Sequence, residues 1–213
     1  MRLVTRADFD GLACSILLDR LGLIDFWEFV HPTEVQQGRV KVTGNDVIAN
    51  LPYVPGCRMW FDHHTSETER LGHEFFEEYE AVMGRREEAA AVPTLGVVEH
   101  SGGLIKEYET VKVSYAAPSC ARVVYDFYTR HGYRFDQFVE MVRCVDKVDS
   151  ANLTGEELAD PRGWILLGLV MDPRTGLEKF KKYSVGLKEL TVRLSAACQD
   201  HGIEEVLALP ELK

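Results

Sequence analysis

The sequence predicts an α/β fold, with a largely parallel sheet flanked by helices and a helical carboxyl-terminal segment. Three observations carry that expectation. Short apolar runs at "RLVTRA", "DFWEFVH", "DVIANLP" and "CRMWFDHH" have the length and the β-branched or aromatic character of strands. Between the first two runs, Leu12, Ile16, Leu17 and Leu21 recur at helical spacing. Strand, helix, strand and further strands is the order a parallel sheet needs, because parallel neighbours require a crossover connection.

The elements follow in chain order. The first strand runs into Asp8–Gly11, where the helix begins. A second strand covers Asp25–His31, and a third covers Asp46–Pro52, stopped by a residue that cannot donate to a ladder. The fourth, Cys57–His64, runs into a polar cluster. Residues 65–113 begin acidic, then loosen around Pro93, Gly102 and Gly103, and read as a surface insertion carrying a hairpin. "APSCARVVYDFYTRHG" restores helical order, with Pro118 near its start and Gly132 as its stop. In "FDQFVEMVRCVDKVD", Phe135, Phe138, Val139, Val142 and Val145 share one face of an amphipathic helix. Residues 1–150 thus form one α/β domain, and 151–213 a helical continuation or linker towards a further carboxyl-terminal domain.

Composition narrows the function. The 213 residues are 46% hydrophobic, enough for one sizeable core, and no apolar run is long enough to span a membrane. The start, "MRLVTRADFD", has no apolar h-region. Five cysteines without a C-x-x-C pair read as reduced thiols of a cytoplasmic protein. A net charge of −10 argues against a long nucleic-acid partner, whose phosphates would need a basic surface. It permits a small phosphorylated substrate or a short oligonucleotide. Acidic residues clustered around divalent metal would also lower the formal charge.

Three strand ends carry the chemistry. The first delivers Asp8 and Asp10, the third Asn50, and the fourth Asp62, His63 and His64. Ligands of open α/β sheets collect outside the carboxyl ends of the strands, so these groups share one crevice edge. A lone D-x-D reads as a turn or cap, and a lone His pair as surface; their agreement on one edge favours a site. Mixed carboxylate and imidazole ligands suit Mn²⁺, Fe²⁺, Co²⁺ or Zn²⁺ better than Ca²⁺. Two such ions about 3.5–4 Å apart form the clamp used for in-line displacement at phosphorus. A cation between Asp8 and Asp10 would also relieve the repulsion of two carboxylates this close.

"ADFDG" followed by "FDHH" resembles the DHH phosphoesterase superfamily, whose members include inorganic pyrophosphatases, exopolyphosphatases, exonucleases, oligoribonucleases and cyclic-dinucleotide phosphodiesterases. The resemblance covers residues 1–150, and the longer pattern is similar to a bacterial exopolyphosphatase-like group. It implies that Asp8, Asp10 and His63 are metal ligands, with Asp62 and His64 supporting them and His64 placed to meet a substrate phosphate oxygen. A further aspartate ligand after a helix is Asp149, followed by Ser150 where the family usually has threonine; Asp146 is the alternative. The implied cofactor is Mn²⁺, with Mg²⁺, Co²⁺ or Zn²⁺ as alternatives, and a homodimer is left open.

The departures are as informative. Val4 stands where many members carry a metal-binding histidine. Arg6, always charged, would oppose a cation but could grip a phosphate. Asn50, a neutral and weaker metal ligand, replaces an aspartate that bridges both metals, and Asp46 begins the same strand too far upstream to substitute. The expectation is one well-made metal position, at Asp10, His63 and Asp149, and one crippled position or a second ion that binds only with substrate. The family usually adds a Gly-rich, His-containing carboxyl-terminal domain; the chain ends at "LALPELK", so a fragment of a longer protein is expected.

Three readings follow. The first is a metal-dependent phosphoesterase acting on a phosphoanhydride or phosphodiester, with Asp62, His64 and Arg6 around the reacting phosphate. The second is a degenerate relative that binds a phosphorylated ligand or partner without turnover, favoured by Val4 and Asn50. The third, an aspartyl-phosphate hydrolase with Asp8 as nucleophile, leaves Asp62-His63-His64 unexplained. Arg174, Lys179, Lys181 and Lys182 could face an anion but read first as a solvated helix face. Ser119 could aim backbone N–H groups at phosphate or simply cap its helix. His31, His73, His100, His131 and His201 show no ligand spacing.

Overall fold

The computed structural model describes residues 1–72, 75, 111–172 and 186–212. Its strands are β1 (Arg2–Thr5), β2 (Phe26–Phe29), β3 (Asp46–Ala49), β4 (Met59–Asp62) and β5 (Val111–Ser114). They form one sheet in the order β2-β1-β3-β4-β5, every pair parallel. The α/β class with a parallel sheet is therefore as the sequence predicts. The chain leaves β1 towards β2 on one side and resumes with β3 on the other, so the β1/β3 border is the topological switch point where such sheets form a crevice.

Alternation along the strands divides the core between two faces. Leu3, Val47, Ala49, Met59, Phe61, Val111 and Val113 join the larger cluster, while Val4, Ile48 and Trp60 point into the smaller one with Val30, Val35 and Leu51. Burial on both faces explains why β3 and β4 are inaccessible along their whole length.

Helices α1 (Phe9–Arg20), α3 (Cys120–Arg130) and α4 (Val139–Asp149) cover the larger face, and α2 (Pro32–Gln36) follows β2. Beyond them come α5 (Gly155–Ala159), α6 (Gly163–Met171), α7 (Leu187–Asp200) and α8 (Ile203–Leu207). Helix α1 is buried from Phe9 to Leu18 and is the central helix of this layer. Its entry is tight: a Cβ on Gly11 would lie 2.0 Å from the Arg6 carbonyl oxygen, so only glycine allows the turn from β1 into α1. A Cβ on Gly168 of α6 would meet the Phe9 ring at 2.6 Å, so glycine there lets α6 close onto α1.

Two expectations change, and a third narrows to one of its two alternatives, the helical continuation. Val111–Ser114, within or beside the expected insertion, is the edge strand β5. Val139 is 38% exposed at the start of α4, and Met141 and Cys144 take buried positions on the inner face instead. The segment after residue 150 is no linker over its described part: Leu190, Leu194, Cys198 and Val206 belong to the larger core cluster. Ser15 Oγ of α1 and Ser195 Oγ of α7 are hydrogen-bonded at 2.9 Å, and Gln199 Nε2 donates to the Ile16 carbonyl at 2.9 Å. All five cysteines are free and buried. Among the described residues no helix is long and apolar enough to cross a membrane. The expected hairpin, His73, His100, Arg174, Lys179, Lys181 and Lys182 lie outside the described residues.

Candidate functional site

Asp8 follows β1 and caps α1, its Oδ1 accepting from the Gly11 amide at 2.8 Å. The same oxygen accepts from Asn50 Nδ2 at 3.2 Å, and Oδ2 pairs with Arg6 Nε at 2.9 Å. Asn50 leaves β3 with φ 56, a left-handed conformation that asparagine tolerates better than most residues. Its Oδ1 is buried and has no hydrogen-bond partner among the described residues.

Asp10 lies in the first turn of α1, 2% exposed, facing the start of α3. The Cys120 and Ala121 amides donate to its two oxygens at 2.9 and 2.7 Å. Ser119 is the cap of α3, its Oγ accepting from the Arg122 amide at 3.0 Å. Of the two readings of Ser119 the cap is the one seen, and the amides that follow it serve Asp10. Burial, then the charges of Asp149 and Asp8, push the Asp10 carboxyl well above the usual carboxylate range, against these amides.

His63 leaves β4 beside both carboxylates. Its Nε2 stands 3.7 Å from Asp10 Oδ2 and 3.4 Å from Asp149 Oδ2, and is buried without a hydrogen-bond partner among the described residues. Nδ1 lies 3.2 Å from the Ala117 carbonyl. A carbonyl can only accept, so Nδ1 donates to it and Nε2 is the ring nitrogen that faces the carboxylates. Asp149, the last residue of α4, is raised in pKa by burial and by Asp8, while His63 works the other way.

Asp62 is fully buried at the end of β4, and its Oδ1 lies 2.8 Å from His64 Nδ1. That bond, stronger than the cost of burial, raises the His64 pKa and favours imidazolium. Asp146, the alternative to Asp149, is engaged elsewhere: it accepts from Ser119 Oγ at 2.7 Å and from Arg122 Nε and Nη2 at 3.0 and 2.6 Å. Val4 is buried against the smaller cluster and turned from these groups. His31 caps α2, His131 Nδ1 pairs with the Phe127 carbonyl, and His201 pairs with Glu205.

These groups line a cleft of about 470 Å³. Arg6, Asp8, Asp10, His63, His64 and Asp149 form its polar side; Phe9, Val145, Val148 and Gly168 form an apolar wall. The wall escapes a reading of the sequence, because helical spacing marks these positions as core without distinguishing core from cleft lining.

Ligand atoms of Asp10, His63 and Asp149 lie within 4.8 Å of one another, as do those of Asp62, His63 and His64. The first group fits a divalent cation: two carboxylates repel, and the buried His63 Nε2 beside them has no hydrogen-bond partner among the described residues. In the second, Asp62 Oδ1 is already bonded to His64 Nδ1, while Asp62 Oδ2 is buried without a hydrogen-bond partner among the described residues, so the group has one carboxylate where the first has two.

Fold and site together are those of an α/β protein with a carboxylate–imidazole cluster at its switch-point crevice, and the fold is similar to that of a solved phosphodiesterase. That structure is the pGpG-specific phosphodiesterase PggH from Vibrio cholerae, matched over 99% of this chain at 34% identity with a TM-score of 0.72. The chain spans 56% of that protein's length. No family model and no curated protein matches the chain.

Proposed function

We propose that this chain is the metal-binding part of a phosphodiesterase of the DHH phosphoesterase superfamily, hydrolysing a small phosphorylated substrate such as a linear dinucleotide. The observation that carries the reading is the buried, unpartnered His63 Nε2 facing Asp10 and Asp149. A divalent ion held by Asp10, His63 and Asp149, Mn²⁺ first with Mg²⁺, Co²⁺ or Zn²⁺ as alternatives, would supply a water of lowered pKa and screen phosphoryl charge.

The chain's own residues do the rest. Two backbone amides of α3 fix the Asp10 carboxylate, and the Ala117 carbonyl fixes the His63 tautomer. His64, its pKa raised by the bond to Asp62, would in its imidazolium form offer a proton and a positive charge to a phosphoryl or leaving oxygen. Arg6, held by Asp8 at the cleft edge, adds a guanidinium suited to phosphate oxygens. Phe9, Val145 and Val148 give a base or sugar an apolar surface and keep water from that side. Likeness to a pGpG-specific enzyme favours a phosphodiester over the phosphoanhydride of the exopolyphosphatase-like group. Five free thiols fit a cytoplasmic setting.

A reading without turnover draws on Asn50 and on the Arg6–Asp8 ion pair, which use up the carboxylate a second ion would need. One assay separates the two: pGpG, pyrophosphate, short polyphosphate and phosphoadenosine phosphate are offered to the full-length protein with Mn²⁺ and with chelator. Turnover of pGpG that vanishes with chelator and in His63→Ala supports the enzyme. Absence of turnover across the panel favours the binder.

A further inference from the structure

Asp8 and Asp10 stand two residues apart at one cleft, yet the fold answers their charges in opposite ways. Asp10 faces Asp149 and the unpartnered His63 Nε2, and among the described residues no lysine or arginine forms an ion pair with either carboxylate. Asp8 is met by protein donors on both oxygens: the Gly11 amide at 2.8 Å, Asn50 Nδ2 at 3.2 Å and the Arg6 guanidinium at 2.9 Å.

Asn50 is decisive because it is 1% exposed and held by the backbone: its amide donates to the Phe61 carbonyl at 3.1 Å. A carboxylate at this position would set a second negative charge against Asp8 and call for a cation between them; the amide instead donates through Nδ2 to Asp8 and leaves only a neutral, buried Oδ1, a much weaker pull on a cation. Val4, on the strand that leads to Asp8, is buried with Ile48 and Trp60 and offers no ligand.

Resting on the metal-dependent reading above, we propose that this centre is built for a single divalent ion, at Asp10, His63 and Asp149. The Arg6 guanidinium, anchored on Asp8 beside Asn50, is the resident positive charge where a two-ion centre would carry its second metal. A guanidinium cannot be lost to a chelator or outcompeted, so part of the positive charge that the ion and Arg6 offer the phosphate belongs to the chain. It also recognises non-bridging oxygens by direction, which a spherical ion does less strictly.

The test is a Mn²⁺ titration of the full-length, metal-stripped protein by calorimetry and electron paramagnetic resonance, with and without inorganic phosphate. The expected result is one ion per chain with the spectrum of isolated Mn²⁺, unchanged by phosphate. In Arg6→Ala/Asn50→Asp, a second ion binds and the spectrum shows exchange coupling. Two coupled ions on the wild type, with or without phosphate, overturn the proposal and leave the metal-dependent reading standing. No bound ion overturns both. A folded double variant that stops at one ion overturns the part given to Arg6 and Asn50. If circular dichroism shows the double variant unfolded, Asn50→Asp alone, which is nearly isosteric, is titrated with the same expectation.

Discussion

His63 Nδ1 lies 3.2 Å from the carbonyl oxygen of Ala117, and that contact decides what the other ring nitrogen can do. With Nδ1 engaged there, Nε2 is the ring nitrogen that faces Asp10 and Asp149 and is open to an ion held between them. His63→Ala removes one of three convergent donors. Since losing even an outer-shell partner of a ligand costs about 10–100-fold in metal affinity, the loss here is on the order of 100-fold or more. Calorimetric titration with Mn²⁺ measures it; affinity within threefold of wild type would rule His63 out as a ligand.

A second prediction concerns stability away from the cleft. Arg2 Nε and Nη2 each lie 2.8 Å from an Asp46 oxygen, joining β1 to β3, and the Thr43 amide donates to Asp46 at 2.6 Å. Burial works to raise the Asp46 pKa, but the bonds from Arg2 and Thr43 overcome it and hold the carboxyl below its ordinary value of 3.8. A group depressed in this way contributes stability that is full above its unfolded pKa and is lost as pH falls through its folded one. Asp46→Asn therefore costs about 2 kcal/mol near neutral pH, the range for hydrogen bonds to a charged group. In urea melts the gap between wild type and variant stays constant down to about pH 4 and closes below it, from the ordinary value of 3.8 downward.

These two cases show what can be read before folding. Strand ends are visible because apolar runs stop at polar residues, so Asp8, Asn50 and His63 could be placed on one edge from their neighbours alone. Strand β5 is not, because its four residues "VKVS" include Lys112 at a sheet edge and are too short to show alternation. The partners of Asp10 are amides 110 and 111 residues away, a relation set by how α3 packs on α1. Arg6 was recognisable as a charge near the site, but its choice of Asp8 depends on the turn that Gly11 permits.

Packing of α7 gives the third prediction. Leu194 is fully buried in the larger core, on a helix tied to α1 through Ser195 and Gln199. Leu194→Ala should lower unfolding free energy by about 2–5 kcal/mol, the usual range for a buried leucine. A change below 0.5 kcal/mol, the range of surface substitutions, would show that the helix hangs free as a linker would.

The last prediction separates two aspartates on one helix. Asp146 and Asp149 both end α4, but Asp146 accepts bonds from Ser119 and Arg122, whereas Asp149 meets His63 and the negative charges of Asp10 and Asp8. Asp146→Asn weakens a charged hydrogen-bond pair and should cost about 2 kcal/mol of stability while leaving Mn²⁺ affinity nearly unchanged. Asp149→Asn does the reverse. It removes a carboxylate whose ionisation burial opposes, so the metal-free protein should melt at a higher temperature, and it removes an ion ligand, so Mn²⁺ affinity should fall at least 10-fold. The opposite signs are the useful feature, because a merely structural Asp149 would lose stability and leave metal affinity alone. Thermal melts of both variants with chelator and with Mn²⁺ read the two quantities together: the wild type gains most from the metal, Asp146→Asn gains nearly as much from a lower baseline, and Asp149→Asn starts higher and gains little.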